Sequence, residues 1–266
     1  MKKFFILLIL FCACKKQAPT LVHSTVDTYT KDIIDPKGKT IEERFSTPDG
    51  FLRTTEAEDS FAHYLRRLPL KPHGSEVKYF DGSIKSNRNV YCGVIDMEIG
   101  SRDLQQCADA VMRLRGEYLY ELKKYDQIHF NFVSDAKPRY YLDYAKENRS
   151  YKKFRKYMNY IFAYANTASL LNEMKGVELS DMEIGDVFIQ KGRPFGHAVI
   201  VVDMAVDPLN GTKLYMLAQS YMPAQETQIL VNRNNRDKSP WYELKEGTIF
   251  TPEWTFEPSD LRRFKN

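Results

Sequence analysis

The sequence predicts an α+β domain in which a small antiparallel sheet packs on helices. Two short β-branched runs, 187–189 and 198–202, are bounded by Gly, Pro and Asp and suit buried strands better than helices. A longer segment, 103–124, repeats apolar residues at helical spacing and predicts an amphipathic helix. The 266 residues include 17 Tyr and 16 Phe, so one main domain with a sizeable core is expected.

The first fourteen residues, 1–14, have the pattern of a secretory leader. Lys2 and Lys3 form a basic segment, residues 4–11 are apolar, and a small residue precedes Cys14. The apolar run is too short to cross a bilayer as a mature helix. The pattern resembles a bacterial lipobox, which implies that Cys14 is lipidated and anchors the protein to a membrane of the cell envelope. An ordinary cleaved signal peptide is the alternative interpretation, and the sequence does not identify the leaflet.

The region after the leader divides into a tether and a folded domain. Residues 15–45 are polar, contain Pro, Thr and Lys, and show no sustained period, so they are predicted to form a flexible tether. Residues 46–266 are predicted to form a single α+β domain. Loss of the leader takes away Lys2 and Lys3 and lowers the formal net charge from +4 to +2. The remaining basic residues are interspersed with acids, which argues against nucleic acid as a partner.

The start of the domain is predicted to contain a helix and a strand. Thr55 and Glu58 form a capping-box pattern, which predicts a helix to about residue 68. Residues 90–99 alternate between apolar and polar and predict a half-buried strand. The apolar parity slips near Gly93, so a β-bulge is expected there.

The predicted helix 103–124 carries the first candidate site residue. If Asp103 caps this helix, Cys107 is its fourth residue and lies on the apolar stripe. The opposite side carries charged residues four positions apart, a spacing that favours ion pairs on a solvated face. These residues are Asp109, Arg113 and Glu117.

The second half of the domain is predicted to alternate helices and strands before an irregular tail. The further strands are 128–132, 213–219 and 224–231, and the further helices are 151–165 and 167–175. Gly176 is expected to end the second of these helices. The tail after residue 240 is expected to be irregular, with Trp241 and Trp254 closing over the sheet.

Cys92 and Cys107 are the thiols expected to stay free of lipid. Cys92 is interpreted as a small buried hydrophobe. A cysteine near a helix N-terminus can be activated by exposed amides and the helix dipole, although the effect weakens by the fourth position, where Cys107 is expected. A disulfide between the two cysteines would exclude this chemistry. His197, which opens the run 198–202, is either a structural residue or the base that such a thiol needs.

Two families resemble parts of this pattern. The Cys-bearing helix, a short helix with Thr167 and Ser169, Gly185-Asp186-Val187-Phe188 and Gly196-His197-Ala198-Val199-Ile200 resemble the NlpC-type and CHAP-type cell-wall hydrolases of the papain-like superfamily. That resemblance implies a papain-like arrangement in which Cys107 is the nucleophile and His197 its base. Gln106-Cys107-Ala108-Asp109 departs from the usual Asp-Cys-Ser-Gly, and residues 125–165 form an insertion.

The region 50–264 resembles more closely a family of bacterial envelope lipoproteins catalogued as a domain of unknown function (number forty-eight forty-six). Leu104-Gln105-Gln106-Cys107-Ala108-Asp109, Gly196 to Met204 and Ala218-Gln219-Ser220-Tyr221-Met222-Pro223-Ala224-Gln225 carry this resemblance. It implies a lipoprotein and no particular activity.

A third residue is needed to orient the base. Asp203 shares a strand face with His197, but six residues at roughly 3.3 Å each place it about 20 Å away, too far to hold the imidazole. Gln219 resembles the polar third position of the CHAP-type enzymes and is the candidate. It lies opposite His197 only if the connecting loop is wider than two residues, because a tight Asn210-Gly211 hairpin would place Ala224 there. A structural role for Gln219 is the alternative.

Two functions are therefore expected. The first is an envelope lipoprotein with cysteine hydrolase or amidase activity on amide bonds, with peptidoglycan stem peptides as the candidate substrate. Backbone amides near the helix start, with Gln105 or Gln106, would hold the oxyanion. No cofactor or metal is expected, because neither a nucleotide-binding glycine pattern nor a zinc spacing occurs. The second is a non-catalytic envelope lipoprotein that binds glycan, peptide or a protein partner. A third hypothesis is a polar site of Arg113, Glu117 and His129.

Overall fold

A computed structural model describes residues 32–192 and 194–265 of the chain. The described residues form six α-helices: α1 Ile41–Arg44, α2 Phe61–Arg66, α3 Cys107–Glu121, α4 Tyr141–Ala145, α5 Tyr151–Phe162 and α6 Thr167–Asn172. The first seven strands are β1 Leu52–Arg53, β2 Tyr91–Val94, β3 His129–Asn131, β4 Pro138–Tyr140, β5 Met174–Gly176, β6 Val187–Gln190 and β7 His197–Val206. The others are β8 Lys213–Gln219, β9 Gln228–Leu230, β10 Tyr242–Glu243, β11 Ile249–Phe250, β12 Thr255–Phe256 and β13 Leu261–Phe264.

The architecture is α+β, with one large antiparallel sheet and helices packed on it. Seven strands run in the order β2-β9-β8-β7-β6-β13-β5, and β1 and β10 pair with β7 and β8, so the sheet has nine strands. Its centre is β7, whose ten residues are buried except for the last. The β-branched run 198–202 therefore forms the most buried strand, as predicted. The sheet is larger than the small one expected, because the sequence does not predict β1, β5, β10 and β13 as strands.

The hairpin between β7 and β8 is wide. Val206 pairs with Lys213, so residues 207–212 form the connection and the tight Asn210-Gly211 hairpin does not occur. The Asp207 N–H donates to the Thr212 carbonyl at 2.8 Å, and its carboxylate accepts from the backbone of the loop. These bonds satisfy the loop in its wider form. A bulge between Val201 and Asp203 then shifts the register by one residue.

Helix α3 begins three residues later than the sequence predicts. Gln106 is its N-cap residue, and the Gln106 N–H donates to the Asp109 carboxylate at 3.1 Å. Asp103 instead accepts from the Gln106 side chain at 2.9 Å and from the Ala224 N–H at 2.7 Å. The bond to Ala224 joins segments far apart in sequence, which is why local capping rules do not reveal it. Cys107 is consequently the first residue of α3 and not the fourth.

The charged face predicted for this helix is not solvated. Asp109 and Arg113 are 6% and 2% exposed. The guanidinium of Arg113 donates to the Glu98 carbonyl, the Gln105 side chain and the Tyr151 hydroxyl, and it forms an ion pair with Glu117. The insertion places α5 over this face, so Arg113 and Glu117 pair with each other within the protein, and Asp109 is buried without an ion pair to any described residue.

The last part of the predicted tether is folded. Ile41 and Phe45 are fully buried, and Thr40 caps α1 in a capping box with Glu43. The buried Arg44 side chain donates to the Gly38 carbonyl. Residues 32–45 therefore belong to the domain. The lipidation residue Cys14 and residues 15–31 of the predicted tether lie outside the described residues. No helix among residues 32–192 and 194–265 is long and apolar enough to cross a membrane.

The remaining elements agree with the sequence in part. The bulge near Gly93 is confirmed, although β2 covers only part of the predicted strand 90–99. Ser60 caps α2, so the capping box predicted at Thr55 is wrong. Gly176 lies in β5 and does not end a helix. The tail is also not irregular, because β13 pairs with both β6 and β5 inside the sheet.

Candidate functional site

The structure places Cys107 against the start of β7. Its Sγ lies 4.0 Å from the Gly196 carbonyl oxygen, and the Ala198 N–H is near enough to oppose the rise in the thiol pKa that burial causes. Gly196 and Ala198 flank His197, so the sulfur of the predicted nucleophile lies against the backbone on either side of the predicted base. Cys107 is also the first residue of a 15-residue helix, where exposed amides and the positive end of the dipole favour a thiolate.

Gln219 is hydrogen-bonded to His197. Ile200 pairs with Ala218, so Gln219 lies beside Val199 on the face that also carries His197. The two side chains are therefore diagonal neighbours, roughly 7–8 Å apart at the backbone, which a glutamine can span. The His197 Nε2 lies 2.9 Å from the Gln219 Oε1. The sequence argument required direct opposition, and the structure shows that a diagonal position is sufficient.

Two further residues extend this arrangement, and no sequence pattern points to them. The Gln219 Nε2 donates to the Glu253 carboxylate at 2.6 Å. Lys85 forms an ion pair with the same carboxylate at 2.7 Å and also donates to the Gln225 side chain at 2.8 Å. Because a carboxylate only accepts hydrogen bonds, Glu253 turns the Gln219 carbonyl oxygen towards His197. His197 then carries its proton on Nε2, which leaves the Nδ1 lone pair available for a base.

Aromatic rings cover the imidazole. The His197 ring lies 4.7 Å from Tyr221, 5.1 Å from Trp254 and 6.0 Å from Phe256, measured between centroids. His197 is 1% exposed and Cys107 is 6% exposed. The site is therefore closed to solvent by side chains from the tail that follows β8.

Burial keeps both candidate catalytic groups neutral. It lowers the pKa of His197 to about 4, an effect that the Gln219 hydrogen bond opposes and the Lys85 charge strengthens. Burial, followed by the nearby Asp109, raises the pKa of Cys107 to about 11. Burial also raises the pKa of Asp109 well above its usual value. Near neutral pH the closed site thus contains a thiol and a neutral imidazole and not an ion pair.

The two glutamines predicted to donate a hydrogen bond to the oxyanion differ in whether their side-chain amide is already bonded. The Gln106 side chain is bonded to Asp103 at 2.9 Å. Gln105 is fully buried, and its Oε1 accepts from Arg113 at 3.0 Å. Within residues 32–192 and 194–265 its Nε2 is buried without a hydrogen-bond partner. Gln105 is thus the unused amide donor near the start of α3.

Asp203 does not take part in this site. Its carboxylate accepts from Arg53 at 2.7 Å and from Arg66 at 2.6 Å, and its side chain is fully buried. The strand geometry predicted from the sequence excludes Asp203 as the residue that orients His197, and these contacts agree with that prediction. The other thiol is also separate, because Cys92 and Cys107 are both free and no disulfide joins them.

Arg113, Glu117 and His129 do not form one polar site. Arg113 and Glu117 line a cavity of about 770 Å³ beside α2 and α3. His129 lines a different cavity of about 240 Å³ at the other side of α3. Neither cavity is lined by Cys107 or His197. Within the described part of the chain, no group of three or more His, Cys, Asp or Glu residues is arranged to hold a metal ion.

Comparison with known proteins gives one match. A family model described as a domain of unknown function (4846) matches residues 41–263, from the first residue of α1 to a residue of β13. No curated protein and no solved structure matches the chain. The matched region includes Lys85, Cys107, His197, Gln219 and Glu253.

Proposed function

The chain belongs to the family described as domain of unknown function (4846), and on that premise we propose that it is a cysteine hydrolase or amidase with a papain-like core. One observation carries the proposal: Cys107 begins a helix that packs on the backbone beside His197, and His197 is bonded to Gln219 at 2.9 Å. This is the order of nucleophile, base and orienting group that acyl transfer requires.

The proposed reaction is the hydrolysis of an amide through a thioester. The Cys107 thiol gives its proton to the His197 Nδ1 while Sγ bonds to the carbonyl carbon. The developing oxyanion takes hydrogen bonds from backbone amides at the start of α3 and from the Gln105 side chain. His197 then protonates the leaving amine as the C–N bond breaks. Water, deprotonated by the same imidazole, hydrolyses the thioester and restores the thiol.

Access to this site requires a movement of its aromatic cover. Tyr221 and Trp254 contact the imidazole, and the Trp254 indole N–H is held by the Gln190 side chain at 2.9 Å. A substrate that displaces these rings reaches the carbonyl position between Cys107 and His197. The cover also excludes water, which strengthens each electrostatic interaction in the site.

The proposed setting is the bacterial cell envelope. The leader resembles a lipobox, so we place a lipid on Cys14 that attaches the domain to a membrane, and stem peptides of peptidoglycan are the proposed substrates. The Cys14→Ser variant should leave the membrane fraction, whereas the Cys92→Ser variant should remain there. Recovery of both variants in the membrane fraction would contradict the lipid anchor.

The hydrolase proposal is tested with peptidoglycan fragments and the purified chain. Release of new amino groups should fall at least about 100-fold in the variants Cys107→Ala and His197→Ala, because nucleophile and base act as a unit. The matched control is Cys92→Ala, which removes the other free thiol of the described region and should keep full activity. Activity that survives in Cys107→Ala would contradict the mechanism.

The second candidate function is that of a binding protein without catalysis. It is favoured by the closure of the Cys107 site together with a separate open cavity of about 770 Å³, which is large enough for a glycan or peptide. Tyr64, Tyr118 and Tyr151 line this cavity with several carboxylates. Binding of peptidoglycan fragments that is unchanged in Cys107→Ala but weakened in Tyr64→Ala would support the binding protein.

A further inference from the structure

The cavity of about 240 Å³ beside His129 contains charges of both signs that the proposed hydrolase does not use. Its walls come from α3, β3, the end of α6 and the end of β13, and Phe130 and Leu119 give it an apolar floor. Arg115 lies on the α3 wall and Glu173 follows α6 on another. A cavity slightly below the usual size range for drug-like ligands suits a small molecule.

Arg115 is a cation without an anionic partner inside the described region. Its guanidinium carbon lies 5.3 Å from the ring of Phe61, 5.4 Å from that of Tyr118 and 5.5 Å from that of Phe264. Burial lowers the pKa of this guanidinium, and the one group that opposes the effect is Tyr118. Aromatic faces compensate a desolvated cation in part, but they leave its N–H donors free to bind a carboxylate.

Glu173 is a buried carboxylate on another wall, and no Lys or Arg forms an ion pair with it within the described chain. Burial raises its pKa, and Lys265, which also lines the cavity and donates to the Asn172 carbonyl at 2.8 Å, opposes that rise by its charge. The Glu173 side chain is 7% exposed, and its Oε1 accepts from the Asn131 N–H at 2.6 Å. The Oε2 faces the His129 Nδ1 at 3.7 Å, too far for a hydrogen bond, and this nitrogen is buried without a partner. Burial and the Arg115 charge lower the pKa of His129, so the imidazole is neutral and does not compensate the carboxylate.

Above pH 7, where Glu173 with its raised pKa of about 7 is ionised, two opposite charges line one cavity and do not pair with each other. Burial of an unpaired charge costs free energy, and a ligand with the complementary charges recovers it. We propose that this cavity binds a small molecule of the amino-acid class, whose carboxylate pairs with Arg115 and whose ammonium group pairs with Glu173. The proposal is independent of any activity at Cys107.

The test is calorimetric titration of the full chain with glycine, L-alanine and D-alanine. At least one of them should bind at a single site, while acetate and methylammonium, which carry one charge each, should bind at least tenfold more weakly. Arg115→Gln and Glu173→Gln should each weaken binding at least tenfold. The matched control is Arg139→Gln, which removes another arginine that stacks on a ring, that of Phe132, outside this cavity.

Two results would overturn the proposal. One is the absence of heat from all three amino acids up to about 10 mM, a concentration at which even weak specific sites fill. The other is binding that Arg115→Gln and Glu173→Gln leave unchanged. Because loss of the stacked guanidinium could unfold the protein, Arg115→Lys is measured in parallel. It keeps the charge but not the two-pronged donor, and it should weaken binding while the circular dichroism spectrum stays native.

Discussion

In the candidate site, the pKa of the thiol is raised and that of the imidazole is lowered. Each shift is the reverse of the one found in an activated pair. A thiolate–imidazolium pair needs a low thiol pKa and a raised histidine pKa. Here burial raises the pKa of Cys107 to about 11 and lowers that of His197 to about 4. The helix dipole at Cys107 therefore does not overcome desolvation while the aromatic cover is closed. In the proposed mechanism, activation of the thiol therefore follows the opening of that cover.

This charge state predicts the pH dependence of Cys107 alkylation. Since the thiolate is the reacting species, the rate with iodoacetamide should rise about tenfold per pH unit from pH 7 to pH 10, below the pKa of about 11. The rate is measured by mass spectrometry of the peptide that contains Cys107. The peptide with Cys92, whose pKa burial also raises, serves as the internal control. A rate that is already constant above pH 6 would show that an ion pair exists in the free protein.

Glu253 and Lys85 determine what His197 can do. Without the carboxylate, the Gln219 amide could turn and present its NH₂ group to the imidazole, which would reverse the tautomer. Lys85 is 3% exposed, so separating it from Glu253 would leave a buried charge without a partner. That cost keeps the Glu253 carboxylate beside Gln219. The positioning of the base thus depends on residues that do not contact it directly.

At the scale of elements, β7 joins the sheet to the helices through one buried carboxylate. Asp203 on β7 accepts hydrogen bonds from Arg53 on β1 and Arg66 on α2. The Arg66 side chain also donates to the Thr54 carbonyl, so the two arginines connect three elements. Asp203 therefore has a structural role on the strand that begins with His197.

The Asp203→Asn substitution should destabilise the protein by about 3–5 kcal/mol. It leaves the Arg53 guanidinium without an anion and the buried Arg66 guanidinium with only Glu56, 3.9 Å away, and removing one partner is the costly way to break a buried ion pair. Urea unfolding followed by circular dichroism measures the change. The control is Asp237→Asn, which alters an exposed carboxylate and should change stability by less than about 0.5 kcal/mol. A loss of less than 1 kcal/mol in Asp203→Asn would contradict this role.

The elements that the sequence predicts best are those whose burial is complete. Strands β6 and β7 consist mainly of β-branched and apolar residues, so their pattern is visible without tertiary information. Strand β13 is Leu-Arg-Arg-Phe, and its two arginines conceal a position between β6 and β5. The start of α3 is similarly hidden, because Ala224 occupies the carboxylate of Asp103. Contacts between residues distant in sequence determine both the place of β13 and the start of α3, and a local sequence pattern contains no information about such contacts.

At the scale of the whole molecule, the site depends on segments that are distant in sequence. Lys85, Gln219 and Glu253 are joined by hydrogen bonds, but no spacing rule relates them. The sequence could name Cys107, His197 and Gln219 as candidates, because each lies on a predicted helix or strand and matches a position of the hydrolase families that the chain resembles. It predicts that tail aromatics, Trp254 among them, close over the sheet, but not that Tyr221 and Phe256 also lie against His197 or that Cys107 and His197 become buried. These two features decide the charge state of the site.

The response of stability to pH contains two opposing contributions. Burial raises the pKa of Glu173 to about 7 from an ordinary value near 4.5, so the folded state holds a proton that the unfolded state releases. Its contribution is therefore lost as the pH rises from about 4.5 to 7. His197, with its pKa lowered from 6.5 to about 4, holds fewer protons in the folded state. Its contribution is lost as the pH falls from 6.5 to 4, and the two effects largely cancel in the shared window.

The Glu173→Gln variant should show how much Glu173 contributes to the pH dependence of the free energy of unfolding. Glutamine still accepts the Asn131 N–H but has no carboxylate to desolvate, so the variant should be more stable than wild type at pH 8. Between pH 5 and 6.5, its free energy of unfolding should rise with pH about 1.4 kcal/mol per unit more steeply than that of wild type. Urea titrations at several pH values measure both slopes, with the exposed Glu147→Gln as the control. Parallel curves for wild type and Glu173→Gln would show that Glu173 is ionised throughout this range, with the burial of its charge compensated by the protein.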